Sequence, residues 1–340
     1  MNFGEFRTWF DERFTILLER KIANFITHST NQDIPKIVSH LLPIAKNGKR
    51  FRPFLVYSAS SVDTFEAENQ FLLFASVELL HIFALIHDDI MDNADTRHGV
   101  VCAHKKFIDE YSPQTSEAIA ILLGDLVFAW SYECLNEYTS NHPQRRDRIT
   151  KEFTQLVSEV THGQMLDILA PVQPPLTESQ ILEKMILKTA RYSFVQPLHL
   201  GFIISGDKKD DHEFSEKFGV AIGIAFQLQD DLLDTYPSEQ TGKSQFSDIE
   251  NKNQTLLSQY IFRSNTQNST TLLNFWGKPV DTDQKRHLLT ELFTESGAIA
   301  DIKTRIALYL TIAQETLSAR NKTEQEKWNC IIELIAQRKK

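Results

Sequence analysis

Residues 71–91 are apolar almost all the way round a helix, and the run ends in three aspartates. A helix without a polar face must be enclosed by protein or by lipid. Its most apolar part, residues 71–86, contains Ser76, Glu78 and His81. A membrane span needs about 20 mostly apolar residues, and this part is shorter than that. The sequence therefore predicts a buried central helix and no integral membrane segment. Elsewhere apolar residues recur at three and four spacing, as in Phe6, Phe10, Phe14 and Leu17-Leu18, or across residues 119–132 and 218–233. That spacing lines one face of a helix, and β alternation is scarce. Short polar or proline-bearing breaks at 171–177, 207–212, 237–247 and 265–271 separate the helices. The expectation is one large all-α domain over residues 1–340.

Composition excludes several functions. Only 12 of 340 residues are glycine, about half the usual ~7%. No G-x-G-x-x-G is present. Gly242-Lys243-Ser244 resembles the end of a phosphate-binding loop, but Pro237 occupies the position of its first glycine. A net charge of −9 argues against a general grip on nucleic acid or anionic membrane. Cys102, Cys134 and Cys330 form neither a zinc pattern nor a disulfide framework. Residues 1–10 include Glu5 and lack a signal pattern, so a cytoplasmic location is expected.

Two acidic clusters carry the chemistry. His87-Asp88-Asp89-Ile90-Met91-Asp92 and Gln229-Asp230-Asp231-Leu232-Leu233-Asp234 are both D-D-x-x-D and both end apolar helices. Chance gives two such matches at about 0.003 per chain of this composition. On a helix, i and i+4 share a face, so Asp88 projects with Asp92 and Asp230 with Asp234. Like charges there repel each other and oppose the helix dipole. A divalent cation relieves both, and hard oxygen donors with open positions suit Mg²⁺ shared with phosphate oxygens. Asp207-Lys208-Lys209-Asp210-Asp211, by contrast, reads as a solvated surface turn. Phosphate also calls for cations. Gly48-Lys49-Arg50-Phe51-Arg52-Pro53, Arg97, Lys188 and Lys243 supply them. His81 lies two turns before Asp88, and Gln227 shares a face with Asp230.

These motifs, in this order, resemble those of the trans-isoprenyl diphosphate synthases, the polyprenyl synthetase family. The resemblance runs from Gly48 to Thr255 and includes Gly124-Asp125, Gly163-Gln164 and Lys188-Thr189. It implies the isoprenoid synthase type of fold, a helical domain around a central active-site cavity, and usually a homodimer. It also implies roles. Asp88, Asp89, Asp92, Asp230, Asp231 and Asp234 would hold three Mg²⁺ ions. Arg97, Lys188 and Lys243 would contact an allylic diphosphate, while Lys49, Arg52, His81 and His98 would contact isopentenyl diphosphate. Thr189 and Gln227 would face the reacting carbons.

The chain departs from the family at three places. His98 stands where the family has Arg, Phe246 where Gly is common, and Asn253 where Lys is usual, with Lys252 adjacent as a possible substitute. Phe83 and Ala84 precede Asp88 by five and four residues. Phe83 thus sits ~7.5 Å along the helix from the first ligand. A ring there resembles short-chain members and points to a C20 product, geranylgeranyl diphosphate, with C15 farnesyl diphosphate as the alternative. A terpene-cyclase-like enzyme or a non-catalytic subunit of a heteromeric synthase are the other readings.

Overall fold

A computed structural model describes residues 1–46, 48–97, 99–172, 175–206, 209–236, 245–264 and 266–336. As expected, the architecture is all-α. Among the described residues the only sheet is a two-stranded antiparallel ribbon. The residues gather into two compact units, Met1–Lys151 with Leu200–Gly206, and Glu152–His199 with Asp207–Lys340. The hydropathy pattern gives no sign of this subdivision.

The first unit contains α1 (Phe3–Ile26), α2 (Asp33–Ser39), α3 (Leu41–Lys46), α4 (Phe51–Ser60) and α5 (Thr64–Met91). They are followed by the ribbon of β1 (Thr96–Arg97) and β2 (Val100–Val101), then α6 (Ala103–Lys106) and α7 (Pro113–Asn141). Phe6, Phe10 and Phe14 of α1 form the foreseen stripe and are fully buried. Phe6 packs on Phe54, Tyr57 and Phe74, with ring centroids 5.0–5.9 Å apart. Each such ring stabilises the unit by about 1.5–3 kcal/mol through burial.

The charge inside α5 has a structural explanation. Glu78 is 1% exposed and accepts from Arg50 Nη1 at 2.6 Å. Arg50 also donates to Asp11 at 2.6 Å and to the Ala45 carbonyl at 2.5 Å. Of the three cations in the Gly48–Pro53 motif, Arg50 is therefore committed to the core. Lys49 is exposed and Arg52 is half-buried.

Both α5 and α7 are long and apolar enough to cross a membrane by length and composition. In α5, 61% of the most apolar window is buried within the protein, as a core helix requires; in α7 the share is 44%.

The second unit contains α8 (Arg146–Leu169), most of which belongs to it, and α9 (Glu178–Met185). A π-helical stretch, Ile186–Val195, runs on from α9 into α10 (Gln196–Ser205), whose start, to His199, belongs to this unit. Then come α11 (Lys209–Leu233), α12 (Ser247–Glu250), α13 (Leu256–Arg263), α14 (Thr266–Phe275), α15 (Asp283–Glu295), α16 (Ala298–Ser318) and α17 (Lys322–Ala336). Its core joins Leu228 and Leu232 of α11 to Leu257, Ile261, Leu289, Phe293 and Ile302.

Phe246 shows why glycine suits its position. Its φ is +64°, in the left-handed region, which strains a bulky L-residue by about 1–3 kcal/mol. The ring compensates: it is fully buried and stacks on Phe293 at 5.8 Å. Removing a buried Phe side chain costs about 3–5 kcal/mol. Phe246→Gly should therefore destabilise the protein by about 1–3 kcal/mol in urea denaturation. A gain in stability would show that strain outweighs packing here.

Candidate active site

In the first unit, the end of α5 is built to present carboxylates. Asn93 adopts a left-handed conformation, with φ +51°. Asn93 N–H then donates to Ile90 O at 3.1 Å, and Ala94 N–H to Asp89 O at 2.9 Å. This pattern of bonds closes a helix at its C-terminus. It leaves Asp88 and Asp89 on the last turn and Asp92 at the cap, exposed.

The β ribbon pairs Thr96 with Val101 and Arg97 with Val100, so the chain folds back. Arg97 Nε donates to Asp89 at 2.7 Å and Nη2 to Asp88 at 3.0 Å. Burial raises the Asp89 pKa, and Arg97 only partly offsets that. The nearby Cys102 thiol is pushed up to about 12 by burial and then by Asp89. That thiol is protonated at neutral pH and inert.

Further along α5, His81 and Ala84 are half-buried. Phe83 is also half-buried and packs against His87 and against Phe128 of α7, each at 4.7 Å.

In the second unit, close backbone approach positions the polar groups. A Cβ on Gly223 of α11 would lie 2.3 Å from Ala190 Cα, and one on Gly163 of α8 would lie 2.4 Å from Lys188 N. Glycine at these positions lets α8 and α11 press against the π-helical stretch. Such stretches are rare and often found at functional sites. One face of α11 continues from Gly223 to Gln227 and Asp231 at four-residue steps. Thr189 Oγ1 donates to Gln227 Oε1 at 2.7 Å, and Gln227 Nε2 donates to Asp231 at 2.8 Å. Thr189, Gln227 and Asp231 thus form one chain of hydrogen bonds.

The cluster itself is larger than its motif. Asp231, Asp234 and Asp248 are all buried or nearly so, and all have raised pKa values. For Asp231 and Asp234 burial is the main cause and Asp248 the next; Gln227 and Ser247, respectively, oppose it. The Asp234 pKa reaches about 8. For Asp248, burial leads, the Asn253 amide opposes it, and Asp230 adds repulsion.

Asp234 is also committed locally. Ser247 donates to its Oδ1 through N–H at 2.9 Å and through Oγ at 2.5 Å, and Asp248 N–H donates to Oδ2 at 3.1 Å. Lys252 is exposed, with its stem along Gly277, while Asn253 Nδ2 donates to Asp248 at 3.1 Å.

Lys188 is held by Asp167 at 2.5 Å, and Lys184 by the same carboxylate at 2.8 Å. Burial pushes the Asp167 pKa up, but the two ammonium groups outweigh it and hold the value at about 2. Sequence reasoning did not single out Asp167. It follows Gly163 by one helical turn on the same face, which was the available signal. Asp248 lies 14 residues beyond Asp234, outside the D-D-x-x-D spacing. Lys243 and His98 lie outside the described residues.

Residues 32–292 match the family model described as polyprenyl synthetase. The chain belongs to that family. A geranylgeranyl diphosphate synthase of Methanosarcina mazei is 30% identical over 271 residues, 79% of either chain. A geranylfarnesyl diphosphate synthase of Aeropyrum pernix is 28% identical over 307 residues, covering 87% of this chain and 92% of that one. The crystal structure of a geranylgeranyl pyrophosphate synthase of Corynebacterium glutamicum, complexed with isoprenyl diphosphate and magnesium, superposes with a TM-score of 0.87 at 25% identity. It covers 97% of this chain and 98% of that one. As a polyprenyl synthetase the protein is an enzyme, a trans-prenyltransferase.

The Asp167 triad gives a pH prediction. Its folded pKa of about 2 lies below the ordinary Asp value of about 3.9. The stabilisation is therefore complete above pH ~4 and is lost as pH falls toward 2, in total about 2–3 kcal/mol. Asp167→Asn should be less stable than the parent at pH 6, and the gap should close between pH 4 and 2. A gap independent of pH would contradict the ion-pair account.

Proposed function

We propose that the enzyme adds isopentenyl diphosphate head to tail to an allylic diphosphate and releases geranylgeranyl diphosphate, C20. The observation that carries this reading is the donor set. Two D-D-x-x-D clusters offer oxygen ligands alone, and in the second the carboxylate pKa values are raised by burial and mutual repulsion. Such groups fit Mg²⁺ shared with a diphosphate. Asp88, Asp89 and Asp92 would hold ions at one cluster, and Asp230 with Asp231 at the other, three ions in all. Asp234 keeps the turn at Ser247 in place. When bound, Mg²⁺ neutralises the diphosphate and makes it a better leaving group.

The protein's own groups set up the rest. Arg97, Lys188 and Lys243 bind the allylic diphosphate, and Lys49, Arg52 and His81 the isopentenyl one. His98 replaces an Arg contact to the latter. The allylic C–O bond breaks with its electron pair leaving on diphosphate. The isopentenyl double bond then forms the new C–C bond, and pyrophosphate takes the proton lost. Thr189 and Gln227 present oxygen and amide dipoles to the cationic carbons. An apolar cavity keeps water from the cation. Residues 1–340 act as one functional domain.

Exposed Ile121 and Leu122 on α7 support a homodimer. Three free cysteines support a cytoplasmic location.

Product length rests on Phe83, whose ring is wedged against Phe128, and on the similarity to geranylgeranyl diphosphate synthases. Asp88→Ala and Asp230→Ala should each lower turnover at least ~100-fold with unchanged circular dichroism. Near-parental turnover in both would overturn the reading. Phe83→Ala should move product beyond C20 in chromatography of the dephosphorylated prenols. An unchanged profile would remove Phe83 from the length-setting role, and a C15 product from the parent would displace the C20 assignment.

A further inference from the structure

A second group of ligands lies in the second unit, on residues with no part in the condensation. His199 of α10 is 6% exposed. Its Nδ1 lies 3.2 Å from Glu152 Oε2. A carboxylate only accepts, so Nδ1 donates, and in the neutral ring Nε2 keeps its lone pair. That buried Nε2 has no hydrogen-bond partner. The His212 ring of α11 stacks on it at 4.3 Å. Glu216 follows His212 by four residues, on the same helix face. One ligand atom from each of His199, His212 and Glu216 lies within 4.8 Å of the others.

We propose that His199, His212 and Glu216 bind a transition-metal dication of the Zn²⁺ class. Two imidazoles and one carboxylate are a donor set for Zn²⁺, Ni²⁺ or Cu²⁺, whereas Mg²⁺ prefers oxygen alone. The Glu152–His199 pair supplies the orienting carboxylate that metal-bound histidines usually have. Arg191 Nη1 donates to Glu216 Oε2 at 2.7 Å, which leaves Oε1 for the ion. Arg191 Nε also pairs with Glu159 at 2.7 Å. Glu159 and Glu216 thus share one guanidinium while Glu152 faces His199, and three carboxylates against one Arg favour a cation. Zinc–nitrogen bonds of ~2.0–2.1 Å place tetrahedral ligand atoms roughly 3.3 Å apart. The exposed His212 closes the remaining distance by side-chain rotation. The bound ion clasps α10 to α11, with water in the open position.

The test is isothermal titration of the tag-free full chain with zinc chloride, in excess Mg²⁺ so that the aspartate clusters are already engaged. The expected result is one equivalent bound at micromolar or lower Kd, with a Tm that rises on zinc addition. His212→Ala, at an exposed position, should stay folded and lose both effects while keeping basal turnover. Glu152→Gln should weaken zinc binding about 10–100-fold. Absence of a zinc-binding event in the parent chain, or parental zinc affinity in His212→Ala, would overturn the proposal.

Discussion

Buried carboxylates that face one another are costly in a protein, and this chain gathers Asp230, Asp231, Asp234 and Asp248 at one place. Each would be charged in water at neutral pH. Burial and repulsion raise the pKa values of Asp231, Asp234 and Asp248, that of Asp234 to about 8. Nothing in the packing of α11 requires that arrangement, because Leu228 and Leu232 fill the core side of the helix on their own. Such a set of carboxylates fits a cation. At the first cluster Arg97 pairs with both Asp88 and Asp89 and partly offsets the burial that raises the Asp89 pKa.

The rest of the second unit reads as support for that cluster. Glycines at 163 and 223 let two helices approach the π-helical stretch. That approach places Thr189 on Gln227, and Gln227 on Asp231. Lys188 and Lys184 share Asp167, so their ammonium groups are held in place. Placed charges of this kind cost little reorganisation when a leaving group develops charge.

The helical architecture was legible in the sequence because its signals are local. The stripe of Phe6, Phe10 and Phe14 and the apolar run of α5 each follow from spacing alone. The aspartate clusters were legible because their motif is short and repeated. The π-helical register at 186–195 was not, since a helical periodicity does not distinguish i+4 from i+5 bonds over ten residues. Arg50 was read as one of three phosphate cations, yet it pairs with Glu78 some 28 positions away, a contact only the tertiary fold reveals. Asn253 is similar. Its amide donates to Asp248, a bond that only the folded chain shows.

Whether the buried carboxylates of the second unit receive a cation is tested most directly by a crystal structure of the chain grown with Mg²⁺ and a non-hydrolysable allylic diphosphate. The expected result is an ion held by Asp230 and Asp231, with its open positions taken by water or phosphate oxygens. Asp230 and Asp231 far from any ion, in a crystal that holds the diphosphate and Mg²⁺ elsewhere, would contradict it.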